Sequence, residues 1–142
     1  MLDRIRGRRD PARRAHLQAA AAAVDRELAA NLELAAMFDQ THQPVVFENG
    51  ELERHRAILA SEVPAVFPAL ADVYARIVAT EEAMERRGPA NSLRPEDRAL
   101  IETWEGDLRE AQRALRAAAA AEPPSLWARL VARLRGGRQT GR

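Results

Sequence analysis

The chain of 142 residues and 15.7 kDa has room for one domain with a real core and not comfortably for two. All 22 basic residues are Arg and nearly cancel 21 acids, Ala fills 30 positions, and aromatic residues make up only 4%. That composition excludes a disulfide scaffold, a collagen-like chain and an ordinary β-sandwich, and no apolar run reaches the ~18 residues of a transmembrane helix.

Asp10-Pro11 is a good helix start, because Asp can cap free N–H groups and Pro at the first helical position lacks only a donor without use there. Leu17, Ala21, Val24, Leu28, Asn31, Ala35 and Phe38 then step by fours and threes, and Leu32, Leu34 and Met37 widen the stripe. Through Gln40 this helix spans about 45 Å at ~1.5 Å per residue. Asn31 lies on the core line. One buried Asn can fix register or oligomer state, or can bond the loop backbone near Pro44. Thr41 to Gly50 reads as a loop, with Pro44, Asn49 and Gly50 as turn residues and Val45, Val46 and Phe47 folding back onto the helices.

A short helix follows from about Glu51 to Ala60, with Leu52, Ile58 and Leu59 inward. Pro64 and Pro68 make Ser61–Pro68 a joint, resolved by a tight turn and a helix starting near Phe67. That helix carries Leu70, Val73, Tyr74, Ile77, Glu81 and Met84 to Arg87, where Gly88-Pro89 stops it. Pro95-Glu96-Asp97 starts the next, with Ile101, Trp104, Leu108, Ala111, Leu115 and Ala118 on one face, ending at Pro123-Pro124. One-turn pairs Asp72/Arg76, Glu82/Arg86 and Glu105/Arg109 decorate the exposed faces, each worth a few tenths of a kcal/mol. A last short helix capped by Ser125 covers 125–135, and 136–142 read as a disordered tail. The fold class is therefore all-α: an antiparallel helical bundle of about four main helices over 11–122, plus a short C-terminal amphipathic helix.

The near-neutral total hides a pattern. Residues 1–14 hold six Arg against two Asp, net +4, most of them within a basic N-terminal segment, 1–10. Residues 125–142 hold five Arg and no acid, net +5, so the 110 residues between carry −8. Such asymmetry bears on partners rather than on fold.

Little points to catalysis. The absence of Cys removes thiol chemistry, disulfides and the usual structural zinc sites, and fits a reducing compartment. His16, His42 and His55 form no Glu-x-x-His pair, and Asp39/His42 straddles a helix end, where a His stabilises the dipole. Ser61, Ser92 and Ser125 occupy cap or linker positions, without a nucleophile elbow or phosphate loop. Glu81, Glu82 and Glu85 read as a solvated acidic face, with Glu81 at the helix edge reaching toward water. No catalytic, cofactor or metal residue is expected, and the chain reads as non-enzymatic. Its uncharged Ala15–Val24 stretch after a basic start is too Ala-rich for a signal-peptide core, which places the chain in the cytoplasm or at the inner face of the membrane.

The interaction candidates lie in the last helix. Leu126, Trp127, Leu130, Val131 and Leu134 fall on one side, flanked by Arg129, Arg133 and Arg135. A short basic amphipathic helix with Trp suits the headgroup boundary of an anionic membrane or a helical protein partner, and equally suits packing across the bundle end. The alternative is a nucleic-acid-binding accessory role, the Arg-rich termini contacting phosphates in a salt-dependent way. Self-association through the Ala-rich first helix is a further possibility.

Asn31-Leu32-Glu33-Leu34, Val46-Phe47 and Tyr74-Ala75-Arg76-Ile77 resemble segments of small uncharacterised bacterial helical proteins, over roughly residues 25–115. Several of those are membrane-associated through a hydrophobic N-terminus, whereas the first residues here are basic. The resemblance implies a helical fold and a membrane connection, and no activity.

Overall fold

The computed structural model describes residues 10–87, 91–121, 130–131 and 133–135. They are all-α, with no strand among them. The main body contains α1 (Pro11–Thr41), α2 (Glu51–Arg54), α3 (Arg56–Glu62), α4 (Phe67–Ala75), α5 (Ile77–Glu85) and α6 (Pro95–Ala120). The expected four main helices thus resolve as six, because two of them are broken. Residues 130, 131 and 133–135 also have helical backbone.

The expected first helix forms as the sequence dictates. Asp10 accepts from the Ala12 N–H and Pro11 opens the first turn. His42 ends the helix in the left-handed conformation (φ 56°), its N–H bonding the Phe38 carbonyl at 2.8 Å. Leu17, Ala21, Val24, Leu28, Asn31, Ala35 and Phe38 are all buried. Leu32 and Leu34 pack partly, but Met37 stands 52% exposed, so the stripe is narrower than expected.

The segment after α1 runs back along it. Val45 and Phe47 face inward while Val46 is 81% exposed, correcting the expectation that all three fold inward. An extended chain sends successive side chains to opposite sides, so one of three neighbours must point out. Phe47 fits against the Trp104 ring at 4.6 Å between centroids. Because α2 starts beside Glu27, halfway along α1, this strap runs back along the second half of α1, bonded there to Asn31.

The break between α4 and α5 has a visible cause. Between α4 and α5, Arg76 sits at φ −90°, ψ 0°. The Trp104 indole N–H donates to the Val73 carbonyl at 2.9 Å, the acceptor that the Ile77 N–H would use in a continuous helix. Thr80 Oγ1 also donates to the Arg76 carbonyl at 2.8 Å, a back-bond that bends helices. At His55 (φ −113°, ψ 14°), which separates α2 from α3, neither Pro nor Gly is present. Pro68 lies in the first turn of α4, as its position in the joint requires.

Ion pairs fix the directions. Arg13 bonds Glu62, so α3 ends where α1 begins. Arg116 forks onto Asp25 (2.7 and 3.2 Å), setting α6 antiparallel to α1. Arg87 reaches the His42 carbonyl and lies over the Phe38 ring, closing the far end. Arg86 forks onto buried Asp97 at 2.8 and 3.1 Å instead of taking the expected Glu82 pairing. A buried carboxylate without a cation is far more costly than an exposed one, so Asp97 outcompetes Glu82. The Asp72/Arg76 pair forms at 2.8 Å and Glu105/Arg109 only loosely at 3.8 Å.

Candidate functional site

Two regions concentrate chemistry. The first is the polar lining under the strap. Asn31, fully buried, gives its Nδ2–H to the Glu48 carbonyl and takes the Glu48 N–H on Oδ1, both at 2.8 Å. Its partner is therefore the strap backbone, at Glu48 rather than near Pro44. Half-buried Glu81 accepts the Phe47 N–H at 3.2 Å, so it holds the strap instead of simply reaching water. Buried Glu27 accepts the Glu51 N–H at 3.1 Å, acting as an N-cap lent to α2 by another helix. Three extended or helix-starting N–H groups thus find side-chain acceptors, since no sheet partner exists for them.

The Tyr74 hydroxyl is enclosed nearby and closes no hydrogen bond of ordinary geometry. Burial first, then the neighbouring Glu27 carboxylate and the charges of Glu51 and Glu48, push its pKa well above the usual phenol range. His55 Nε2 lies 3.2 Å from Glu51, whereas His42 is exposed at the end of α1 and His16 is exposed within it. Among the described residues no three His, Cys, Asp or Glu gather as metal ligands. Asn31, Glu81 and Glu27 satisfy backbone donors, and their arrangement explains a held strap. Sequence reading missed Glu27 because it sits one residue before the stripe position Leu28, in a register that reads as helix flank. Buried Asp97 and Gln112 were equally hidden, since first-turn acids and mid-helix Gln are ordinarily solvated.

The second region is the C-terminal amphipathic segment. Leu130, Val131 and Leu134 are 53%, 41% and 67% exposed, with exposed Arg133 and Arg135 alongside. Leu126, Trp127 and Arg129, the other expected interaction residues, lie outside the described residues, as do positions 1–9 of the basic N-terminal segment and the 136–142 tail. The antiparallel packing of α1 and α6 does settle where those segments attach. Gln18 and Ala22 of α1 line one groove with Ala119 and Ala120 of α6, so the start of α1 and the end of α6 lie at the same end of the molecule. The +4 and +5 segments join the body there. The opposite end holds Asp39, Glu82, Glu85, Glu96 and Glu102 among its exposed acids, interspersed with the exposed Arg86, Arg94 and Arg98.

No helix among the described residues is long and apolar enough to cross a membrane. No family model, no curated protein and no solved structure matches the chain. The resemblance to small bacterial helical proteins therefore yields no family assignment.

Proposed function

We propose that this is a non-enzymatic helical protein that docks peripherally on an anionic membrane surface, at the cytoplasmic face, through its basic amphipathic segment 125–135. The bundle over 11–122 is the folded body that this segment tethers. The observation that carries the reading is the exposure of Leu130, Val131 and Leu134 next to Arg133 and Arg135. Apolar side chains left in water gain roughly 25 cal/mol per Å² when a bilayer interface covers them, and each Arg near an anionic surface adds about 1 kcal/mol. One short helix binds marginally on these terms, and a second basic segment joined at the same end raises the effective concentration of both.

Co-sedimentation with vesicles of phosphatidylcholine containing anionic phosphatidylserine tests the reading. The expected result is binding that needs the anionic lipid, weakens with salt, and is lost on deleting 125–142 or in a Leu130→Ser/Leu134→Ser variant. Absence of binding to anionic vesicles, or binding indifferent to the deletion, overturns it. A salt-sensitive band shift with non-specific DNA and no vesicle binding replaces it with the nucleic-acid reading.

A further inference from the structure

The strap lies in a cleft that recognises main chain. At Phe47 the N–H turns toward α5 and bonds Glu81 at 3.2 Å, while the N–H and carbonyl of Glu48 both turn toward α1 and bond Asn31 at 2.8 Å. Successive residues of an extended chain present their polar groups to opposite edges. The strap is therefore held along both edges like an inner strand of a sheet, with side chains standing in for the neighbouring strands. Its own side chains contribute at few positions. Of residues 42–50 only Phe47 is buried, against the Trp104 ring, and Val45 is half-buried, whereas Val46 and Glu48 face out. We propose that this cleft between α1, α5 and α6 is a peptide-recognition site whose ligand is an extended segment of a partner polypeptide, with an apolar residue two places before an aromatic one. The chain's own Val45-Val46-Phe47-Glu48 is the occupant that such a partner displaces. The inference does not depend on the membrane reading.

The contacts of the strap define the ligand. The Asn31 amide donates and accepts at a single residue, so it takes any side chain there except proline, which has no N–H. Glu81 sets the same demand at the residue before. Trp104 offers a ring face at that position, which suits an aromatic side chain. Main-chain bonds for affinity and pockets for alternate side chains are the terms on which extended peptides bind sheet edges. Here, side chains of two helices supply the edges. The strap is also an occupant that can leave. It is bonded by separate side chains rather than by a continuous ladder, and one buried aromatic joins it to the core, so its release exposes much less apolar surface than unfolding of the helices.

The probe is the amidated peptide Gln-Pro-Val-Val-Phe-Glu-Asn, the sequence of residues 43–49, with a fluorophore at its N-terminus. Fluorescence anisotropy reads its binding to the full chain and to Phe47→Ala, whose strap no longer fills the aromatic position. The expected result is a Kd for Phe47→Ala at least about tenfold below that for the parent, in which the seated strap leaves about a tenth of the sites open or fewer. Replacing the peptide's Phe by Ala should weaken binding about ten- to hundredfold, as loss of one buried aromatic side chain does. N-methylation of its Glu, which removes the N–H that Asn31 accepts, should weaken it about fivefold or more. No binding to folded Phe47→Ala up to about 1 mM peptide, equal affinity in the two chains, or indifference to either peptide change overturns the proposal. Amide exchange in the unaltered chain decides the matter if Phe47→Ala does not fold. Relative to intrinsic rates, Phe47 and Glu48 should exchange at least about tenfold faster than mid-α6, by an opening that leaves the helices formed. Strap protection equal to that of mid-α6 means that the cleft opens only when the whole chain unfolds, and overturns the proposal.

Discussion

Asn31→Ala probes the element on which the upper half of the fold depends. The side chain makes two bonds of 2.8 Å to Glu48 and is completely enclosed. A neutral hydrogen bond contributes about 1 kcal/mol net, and deleting the amide leaves a small void, so the expected loss is about 2–3 kcal/mol. It stays below the cost of two fully orphaned buried groups, because Glu48 is exposed and its backbone can turn to water. For a domain of this size that corresponds to a fall in Tm of roughly 5–10 °C. Asn31→Asp should cost more: it retains an acceptor for the Glu48 N–H but sets a second acceptor, and a buried charge, against the Glu48 carbonyl. Urea unfolding gives the stability change, and amide hydrogen exchange localises it. Exchange at Phe47 and Glu48 should accelerate beyond the global loss of stability, while the amides of mid-α6 should accelerate by no more than that loss. A loss under about 0.5 kcal/mol with unchanged protection at Glu48 would show that the strap is held by Phe47 packing alone, and would refute the argument.

Other changes separate the remaining forces. Trp104→Phe removes the indole bond to Val73 at a cost of about 1–3 kcal/mol, and it returns the Val73 carbonyl to Ile77, so the Ile77 amide should gain protection relative to its neighbours. Asp97 and Glu105 should show opposite pH signs. The Arg86 hydrogen bond holds the Asp97 carboxyl below its ordinary 3.8, so its stabilisation is complete above that value and disappears as pH falls through the folded value; Asp97→Asn should be the less stable protein at pH 7 and converge with the parent in acid. Burial, followed by the charge of Asp39, raises the Glu105 carboxyl above 4.5, so its contribution is complete below that and lost as pH rises; Glu105→Gln should match the parent near pH 3 and exceed it at pH 7. Tyr74→Phe should change stability by less than about 1 kcal/mol at pH 7 and should abolish the loss that the parent shows above pH 10, where the unfolded phenol ionises and the folded one does not.

The long helices were legible because each repeats one signal many times. Seven stripe positions in α1 and five in α6 agree, so no single competing contact displaces them. The breaks in the middle helices were not legible, since what interrupts the ladder at Val73 is an indole thirty-one residues away in sequence. Propensity and periodicity see only local chain, and Tyr74-Ala75-Arg76-Ile77 reads as uninterrupted helix on both counts. The strap shows the same limit. Its turn residues announced a loop, yet what it does depends on Asn31, Glu81 and Glu27 meeting it from two other helices. Asn31 was the one partner visible beforehand, because a polar residue on an apolar stripe demands a bond. The exposure of Leu130, Val131 and Leu134 was legible as an amphipathic pattern.

The molecule's total charge of +1 is then a poor guide to how it meets a charged surface. Both basic segments join the body at one end, and α6, with 26 residues, carries the chain about 39 Å from the acidic far end. Screening at physiological salt acts over about 8 Å, so a surface touching the basic end scarcely senses the acids at the other. Under the membrane reading the bundle therefore stands end-on, and attraction is felt at contact while repulsion from the far end is already screened. Added salt should weaken vesicle binding steadily from the lowest ionic strength upward. Were the bundle to lie flat, its −8 body would be pressed to the anionic surface, and modest salt would first strengthen binding by relieving that repulsion. A vesicle titration that passes through a maximum with salt would count against the end-on arrangement, and one that falls throughout would support it.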